Sequence, residues 1–272
     1  MSNGLLFDRK WRLQVGSFQT DSLRVSFDIE KTRNYLPNGA TISVWNLSRP
    51  TRDQFDKGAP VSVFGGFASG VDLLFAGQLY EPTTQRDGPD WITTLRCRDG
   101  NTAWTRNVNQ SFGAGVPILT VLQAVVGSMG LVIPPATRAT LAGRVTRGPI
   151  VQSGYAYKAL QEVLTSEGLS WSIQDNALQV LAQDAATSEQ AIVLAPDTGL
   201  IGSPERTDTN GGSGSKRVQV VATSLLQGGL RPGRRVVLKS STISGDYSVV
   251  SVRHRGDSRG SDWFSEATLR AM

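Results

Sequence analysis

The chain has one cysteine, Cys97, and one histidine, His254, among its 272 residues. A lone cysteine excludes an internal disulfide, so the fold cannot depend on one. Cys97 ends the alternating run 92–97, where it reads as a small apolar residue on a strand. A thiolate nucleophile would need a base beside it, and His254 is the one histidine able to serve. A single histidine and a single cysteine also leave transition metals without their usual ligands. No apolar run approaches the ~20 residues that span a bilayer. The opening MSNGLLFD lacks a basic region followed by a long apolar stretch, so it is not a secretion signal. The expectation is a protein made and folded in a cytoplasm, without a membrane partner.

General acid–base work needs a histidine or two carboxylates held together in a pocket. His254 stands between Arg253 and Arg255, two cations that lower its proton affinity, and its place suggests an exposed strand end. Asp87, Asp90, Asp99, Asp257 and Asp262 fall in turn-like segments, where aspartate bonds nearby backbone N–H groups. A glycosidase-type pair would require two of them to converge. The sequence therefore assigns no catalytic, cofactor-binding or metal residue, and predicts no hydrolytic activity.

What the chain does have is glycine, 29 residues of it, and a net charge of +5 spread along its length. The basic excess fits a solvated surface, with weak, sequence-independent DNA binding as its consequence, since few phosphates are neutralised at once. Its densest cluster is Arg231-Pro232-Gly233-Arg234-Arg235, read as a turn entering a strand or as a contact to an acidic neighbour. The segments between glycine-marked stops are short, which favours many strands.

Residues 23–30 alternate apolar and polar side chains at period two. Leu36-Pro37-Asn38-Gly39 reads as a turn, because Asn-Gly tolerates positive φ. Ala40, Ile42 and Val44 then point one way, and Thr41, Ser43 and Trp45 the other. A short helix is expected near 51–57, and further strands at 61–67, 72–79 and 91–98. The middle differs. Residues 116–126 predict a helix with Pro117 in the first helical position and Gly127 or Gly130 as the stop. Residues 157–168 predict a second, with Leu160, Val163 and Leu164 on one face and Gly168 ending it. Asp175-Asn176 joins the strands 171–173 and 178–180 as a hairpin. Residues 190–272 return to strands. Within them the polar, glycine-rich stretch 210–216 reads as a mobile loop with nothing apolar to bury. It precedes a strand, whereas a phosphate-cradling loop opens a helix.

The two strand-rich ends share a skeleton: strand, short turn, glycine-marked strand, acidic glycine-rich turn, Asp-Trp, strand. The first copy covers 61–98 and contains Asp90-Trp91; the second covers 235–270 and contains Asp262-Trp263. The reading is mainly β with a small α+β insert: two tube-like β-barrel or sandwich domains, 1–104 and 188–272, around an α+β region, 105–187.

Three segments carry a family likeness. Residues 31–48 hold the Pro37-Asn38-Gly39 turn and end on Trp45-Asn46-Leu47-Ser48. Phe75-Ala76-Gly77-Gln78-Leu79 is followed by Asp90-Trp91 and Arg98-Asp99-Gly100. Residues 245–252 are followed by the closing Asp262-Trp263 strand. In these segments and in the order of its parts the chain resembles the baseplate or tail hub proteins of phages, the family of the T4-type hub and the late control protein D group. The resemblance implies a structural virion protein assembled in the host bacterial cytoplasm. It implies a homotrimer joining a sixfold tail tube or distal tail subunits to a threefold central spike or tail-tip protein, with DNA as cargo in its lumen. The chain departs from some relatives in being short: no lysozyme-like or peptidoglycan-binding module is expected after Met272, so any cell-wall cutting is expected to come from another subunit. The alternative class is a β-rich glycan- or nucleic-acid-binding module, in which the six tryptophans would be stacking platforms rather than core or interface anchors.

Overall fold

A computed structural model describes residues 7–100, 102–182, 185–210 and 216–272. Glycine-marked alternation produces strands almost throughout the first hundred residues. They are β1 (Arg9–Val15), β2 (Phe18–Thr20), β3 (Val25–Thr32) and β4 (Gly39–Trp45), then the short helix α1 (Arg49–Arg52), then β5 (Pro60–Phe67), β6 (Gly70–Asp87) and β7 (Asp90–Arg98). The Ser48 side chain caps α1 and Pro50 lies in its first turn, so the helix starts earlier than residue 51 and is shorter than expected. Ala40, Ile42 and Val44 are all buried, as their alternation requires.

The middle comprises β8 (Asn107–Phe112), α2 (Ile118–Met129), α3 (Pro135–Leu141), β9 (Ile150–Tyr155), α4 (Ala156–Ser166), β10 (Leu169–Gln174) and β11 (Ala177–Ala182). Pro117 takes the N-cap of α2 rather than its first helical position, and Gly130, at φ +70°, closes it. The β10–β11 turn places Asp175 and Asn176 both at positive φ, the requirement of a tight two-residue hairpin. The second strand-rich part is β12 (Ile192–Leu194), β13 (Leu200–Asn210), β14 (Lys216–Leu225), β15 (Arg235–Lys239), β16 (Ser244–Asp257) and β17 (Trp263–Ala271). Residues 211–215, the heart of the expected mobile loop, lie outside the described residues.

Thirteen strands join one sheet, in the order β13-β14-β17-β16-β3-β4-β7-β6-β5-β1-β2, with β15 paired to β16 and β12 to β15. Two runs in it follow the same strand order, β3-β4-β7-β6-β5-β1 and β13-β14-β17-β16-β15-β12, and differ at their last pairing, where β1 is antiparallel to β5 but β12 is parallel to β15. Both contain a long strand with a register shift halfway, at Leu79/Glu81 against β7 and at Val249/Ser251 against β17. The runs meet where β16 pairs antiparallel with β3, from Ser251↔Thr32 to Asp257↔Ser26. The chain is thus mainly β, in an open, branched sheet ending at β13, β2 and β12. No closed barrel forms among the described residues.

Three cores follow: one under the first run, one around α2, α4 and the β10–β11 hairpin, and one under the second run. Trp263, from the second run, lies in the first core. It meets Phe27 edge-on at 5.6 Å and donates to the Gly66 carbonyl at 3.0 Å. Its counterpart in the repeated Asp-Trp turn, Trp91, is exposed beneath the Arg52 guanidinium. The repeated motif therefore has one buried and one surface copy.

Candidate assembly surfaces and a buried polar junction

The β3 alternation places Val25, Phe27, Ile29 and Lys31 on the same buried face. Lys31 is 1% exposed, and a lysine there must find partners, because an unpaired buried charge is costly. Its ammonium donates to Asp175 Oδ2 at 2.6 Å and to the Leu74 carbonyl at 3.2 Å. Asp175 Oδ1 in turn accepts the Ala76 N–H, so the tip of the β10–β11 hairpin is tied to both β3 and β6. The same tip is held from other sides. Asn176 Oδ1 accepts the Gly100 N–H, and Gln174 Nε2 donates to the Thr32 carbonyl.

Asn38 differs from the expected turn residue. Neither it nor Gly39 adopts positive φ; Gly39 already begins β4, and Asn38 is buried. Its backbone and side-chain N–H groups donate to the two oxygens of Asp99 at 2.9 and 2.8 Å, and its amide also reaches the Ile173 carbonyl. Asp99 is fully buried. Desolvation pushes its carboxyl up to about 7, with the Asn38 hydrogen bonds and Lys31 pulling the other way. Sequence reasoning missed Lys31 as a junction residue. The signal was present, since Lys31 continues the apolar parity of 25, 27 and 29.

His254 corrects the expectation of an exposed strand end. It lies within β16, flanked by β17 and β3, and is 1% exposed. Its Nδ1 is 2.8 Å from Ser265 Oγ. Its proton affinity is depressed to about 3, first by burial and then by Lys31 and Arg231, not by its sequence neighbours. Arg253 and Arg255 point to the opposite face, where both pair with Asp28. Cys97 is buried on β7, and burial pushes its thiol up to about 12, far from thiolate chemistry at neutral pH.

The expected acidic turn residues fall in three places, two of which meet at Arg24, where Asp257 pairs with the guanidinium and Asp90 adds a second negative charge. Asp87 and Asp90 close the β6–β7 turn, Asp257 and Asp262 the β16–β17 turn, and Asp99 lies in the junction. Asp90 accepts from Asn46, and Asp257 from Arg24. The arginine cluster is spent inside the chain. Arg231 donates to the Gly228 and Leu73 carbonyls, Arg234 to Gln190 and Gly229 with an ion pair to Glu189, and Arg235 pairs with Asp246.

The polar face of the fused sheet also carries paired charges. Across β16, β3, β4, β7 and β6 it carries Arg253 and Arg255 on Asp28, and Arg96 on Glu81 at 2.8 Å. Arg98 stacks over the Tyr80 ring at 4.3 Å. A shallow concavity of about 550 Å³ opens on this face between Asp28, Thr41, Arg96 and Arg253. No helix among the described residues is long and apolar enough to cross a membrane.

These features define a class: two β-runs of the same strand order fused edge to edge, with an α+β excursion clamped onto the joint. The fold is that of phage tail proteins. A 43 kDa tail protein of a Shewanella oneidensis prophage superposes at TM-score 0.68 and 8% identity, covering 97% of this chain and 98% of that one. A tail protein from Neisseria meningitidis does so at 0.69 and 12%, covering 97% of each. An Escherichia coli component of the type VI secretion system, described as structurally similar to the T4 tail proteins gp27 and gp5, gives 0.67 and 11% over 96% of this chain and 76% of that one. No curated protein matches the chain in sequence. The family described as baseplate hub gp41 matches residues 12–269, and the chain belongs to it. It is a structural protein of the phage tail and baseplate.

Proposed function

We propose that three copies of this chain form the hub that joins a sixfold tail tube to a threefold central spike, around the channel through which DNA passes. The carrying observation is the doubled strand order: β3-β4-β7-β6-β5-β1 and β13-β14-β17-β16-β15-β12 within a single sheet. Two like units per chain, repeated by a threefold axis, present six like units. Such a ring matches a sixfold tube on one side and a threefold spike on the other, and closed symmetry stops open-ended growth. The corresponding division is 1–104, 105–187 and 188–272, the outer two being tube-like.

The polar face of the fused sheet suits the channel wall. Arg253 and Arg255 share Asp28, Arg96 pairs with Glu81 and Arg98 lies over the Tyr80 ring, so the arginines of this face are mostly engaged within the chain and little bare basic charge is left to hold phosphates. The role is non-enzymatic, with no catalytic, cofactor or metal residue. Its support is that the one thiol and the one imidazole are both buried and held far from useful proton affinities, and that Asp90 and Asp257, which share the neighbourhood of Arg24, are each engaged, by Asn46 and by Arg24. The mass of the purified chain, alone and with tube or spike proteins added, tests the assembly. A trimer is expected, if need be only with a partner present; a symmetric dimer would refute it.

A further inference from the structure

Every edge of the large sheet is blunted in a way that discourages pairing with another chain. β13 carries Pro204, Glu205 and Arg206; β1 carries Arg9, Lys10 and Arg12; β2 and β12 are three residues long. In the middle region, β11 is occupied as well. Leu178 gives its N–H to Val132 and its carbonyl to Thr137, and Arg33 takes the Ala182 carbonyl.

The β8–β9 ribbon has none of these protections. Among the described residues its two strands pair only with each other, and they read NVNQSF and IVQSGY, without a charge or a proline. Ladder geometry shows which backbone groups are free. The Ala156 N–H donates to the Arg106 carbonyl, which makes Arg106 and Ala156 a hydrogen-bonded pair. In an antiparallel ladder the pairs alternate, so the next, Asn107↔Tyr155, is non-bonded, as are Asn109↔Ser153 and Ser111↔Val151. The N–H and C=O of these residues point away from the ribbon. All six residues are exposed, and no hydrogen-bond partner for their outward groups occurs among the described residues. Gly154, at φ +111°, bends the β9 edge, whereas no residue of β8 has positive φ. Helices α2 and α4 support the ribbon from behind, so the edge is held in place.

We propose that the β8 edge is a strand-addition site for an extended, uncharged segment of another protein of the assembly. Asn107, Asn109 and Ser111 present donor–acceptor pairs at two-residue spacing, which is the template an added strand requires. The twelve residues of the two strands carry no charge and the nearest cation, Arg106, stands just outside β8, so a charge within an added segment would lose hydration without a counter-ion beside it, and a neutral one loses little. A second copy of this chain would bring β8 against β8 across a twofold axis, which a threefold ring lacks. That choice of a different protein rests on the trimeric reading above; the site itself does not.

The test uses the full chain and a synthetic, end-capped hexapeptide of alternating threonine and valine, with amide exchange as readout. Exchange at Asn107, Asn109 and Ser111 should slow at least about tenfold at saturating peptide. The same peptide N-methylated along its pairing edge should give no protection. Asn109→Pro removes an outward N–H and no internal bond, and should abolish protection at Asn107 and Ser111. Ser153→Pro, on the β9 edge, should leave it intact. Absence of protection on β8, protection at another edge, or protection by the N-methylated peptide would overturn the site; this last control decides even if Asn109→Pro fails to fold. A symmetric dimer of the free chain that Asn109→Pro dissolves would overturn the choice of partner and the trimer together while leaving the edge as the contact.

Discussion

Replacing Asp99 with asparagine should give the protein a pH-dependent stability that the native chain lacks between about pH 4.5 and 6. Two buried groups oppose each other there. Asp99 ionises near 7 in the folded chain against an ordinary 3.8, so in this window the folded state holds a proton that the unfolded state has lost. Its contribution to stability therefore falls as pH rises. His254 ionises near 3 in the folded chain against an ordinary 6.5, so the unfolded state holds the extra proton and its contribution rises with pH. Each slope is about 1.4 kcal/mol per pH unit, and together they nearly cancel. Asp99→Asn leaves the His254 slope alone, a gain of about 2 kcal/mol across the window. Urea unfolding at three pH values within it measures the slope directly, whatever offset the substitution adds. An unchanged slope in Asp99→Asn would refute the reasoning, because it would mean that Asp99 is already ionised there despite its burial.

Lys31→Ala should cost about 3–5 kcal/mol in the same assay, since it strands Asp175 against the sheet without its cation; a cost within that of an exposed ion pair would contradict the junction's role. Gly256→Ala should destabilise by about 1–3 kcal/mol, because a Cβ there would come within 2.3 Å of the Phe27 ring in the first core, and an unchanged midpoint would show that the ring has room to move. A zymogram on peptidoglycan with the purified chain should show no clearing; clearing abolished by one Asp or Glu substitution would end the non-enzymatic reading.

Much of the fold was legible because period-two burial is a local signal. Ala40, Ile42 and Val44 fixed the buried face of β4, and Asp175-Asn176 announced its hairpin in two residues. The repeated strand order was legible for the same reason, since each run is continuous in sequence. What escaped depended on partners far along the chain. His254 looks terminal beside two arginines, yet β16 runs through the middle of the sheet and covers it with β3 and β17. Asn38 carries a turn signal, but Asp99 and the hairpin tip, brought from 61 and 135 residues away, make it a buried anchor. Strands β8 and β9 are too polar to show alternation, and their partners lie on either side of two helices. The candidate surfaces were less legible than the fold, because an unprotected edge exists only once every other edge is known.

The most direct measurement is a reconstruction of the assembled tail tip computed without imposed symmetry. The account predicts three copies of this chain in a ring, with the run containing β5–β7 and the run containing β15–β17 alternating around the channel as six similar units. A ring in which only one of the two runs surrounds the channel, or an assembly built on a twofold axis, would contradict it.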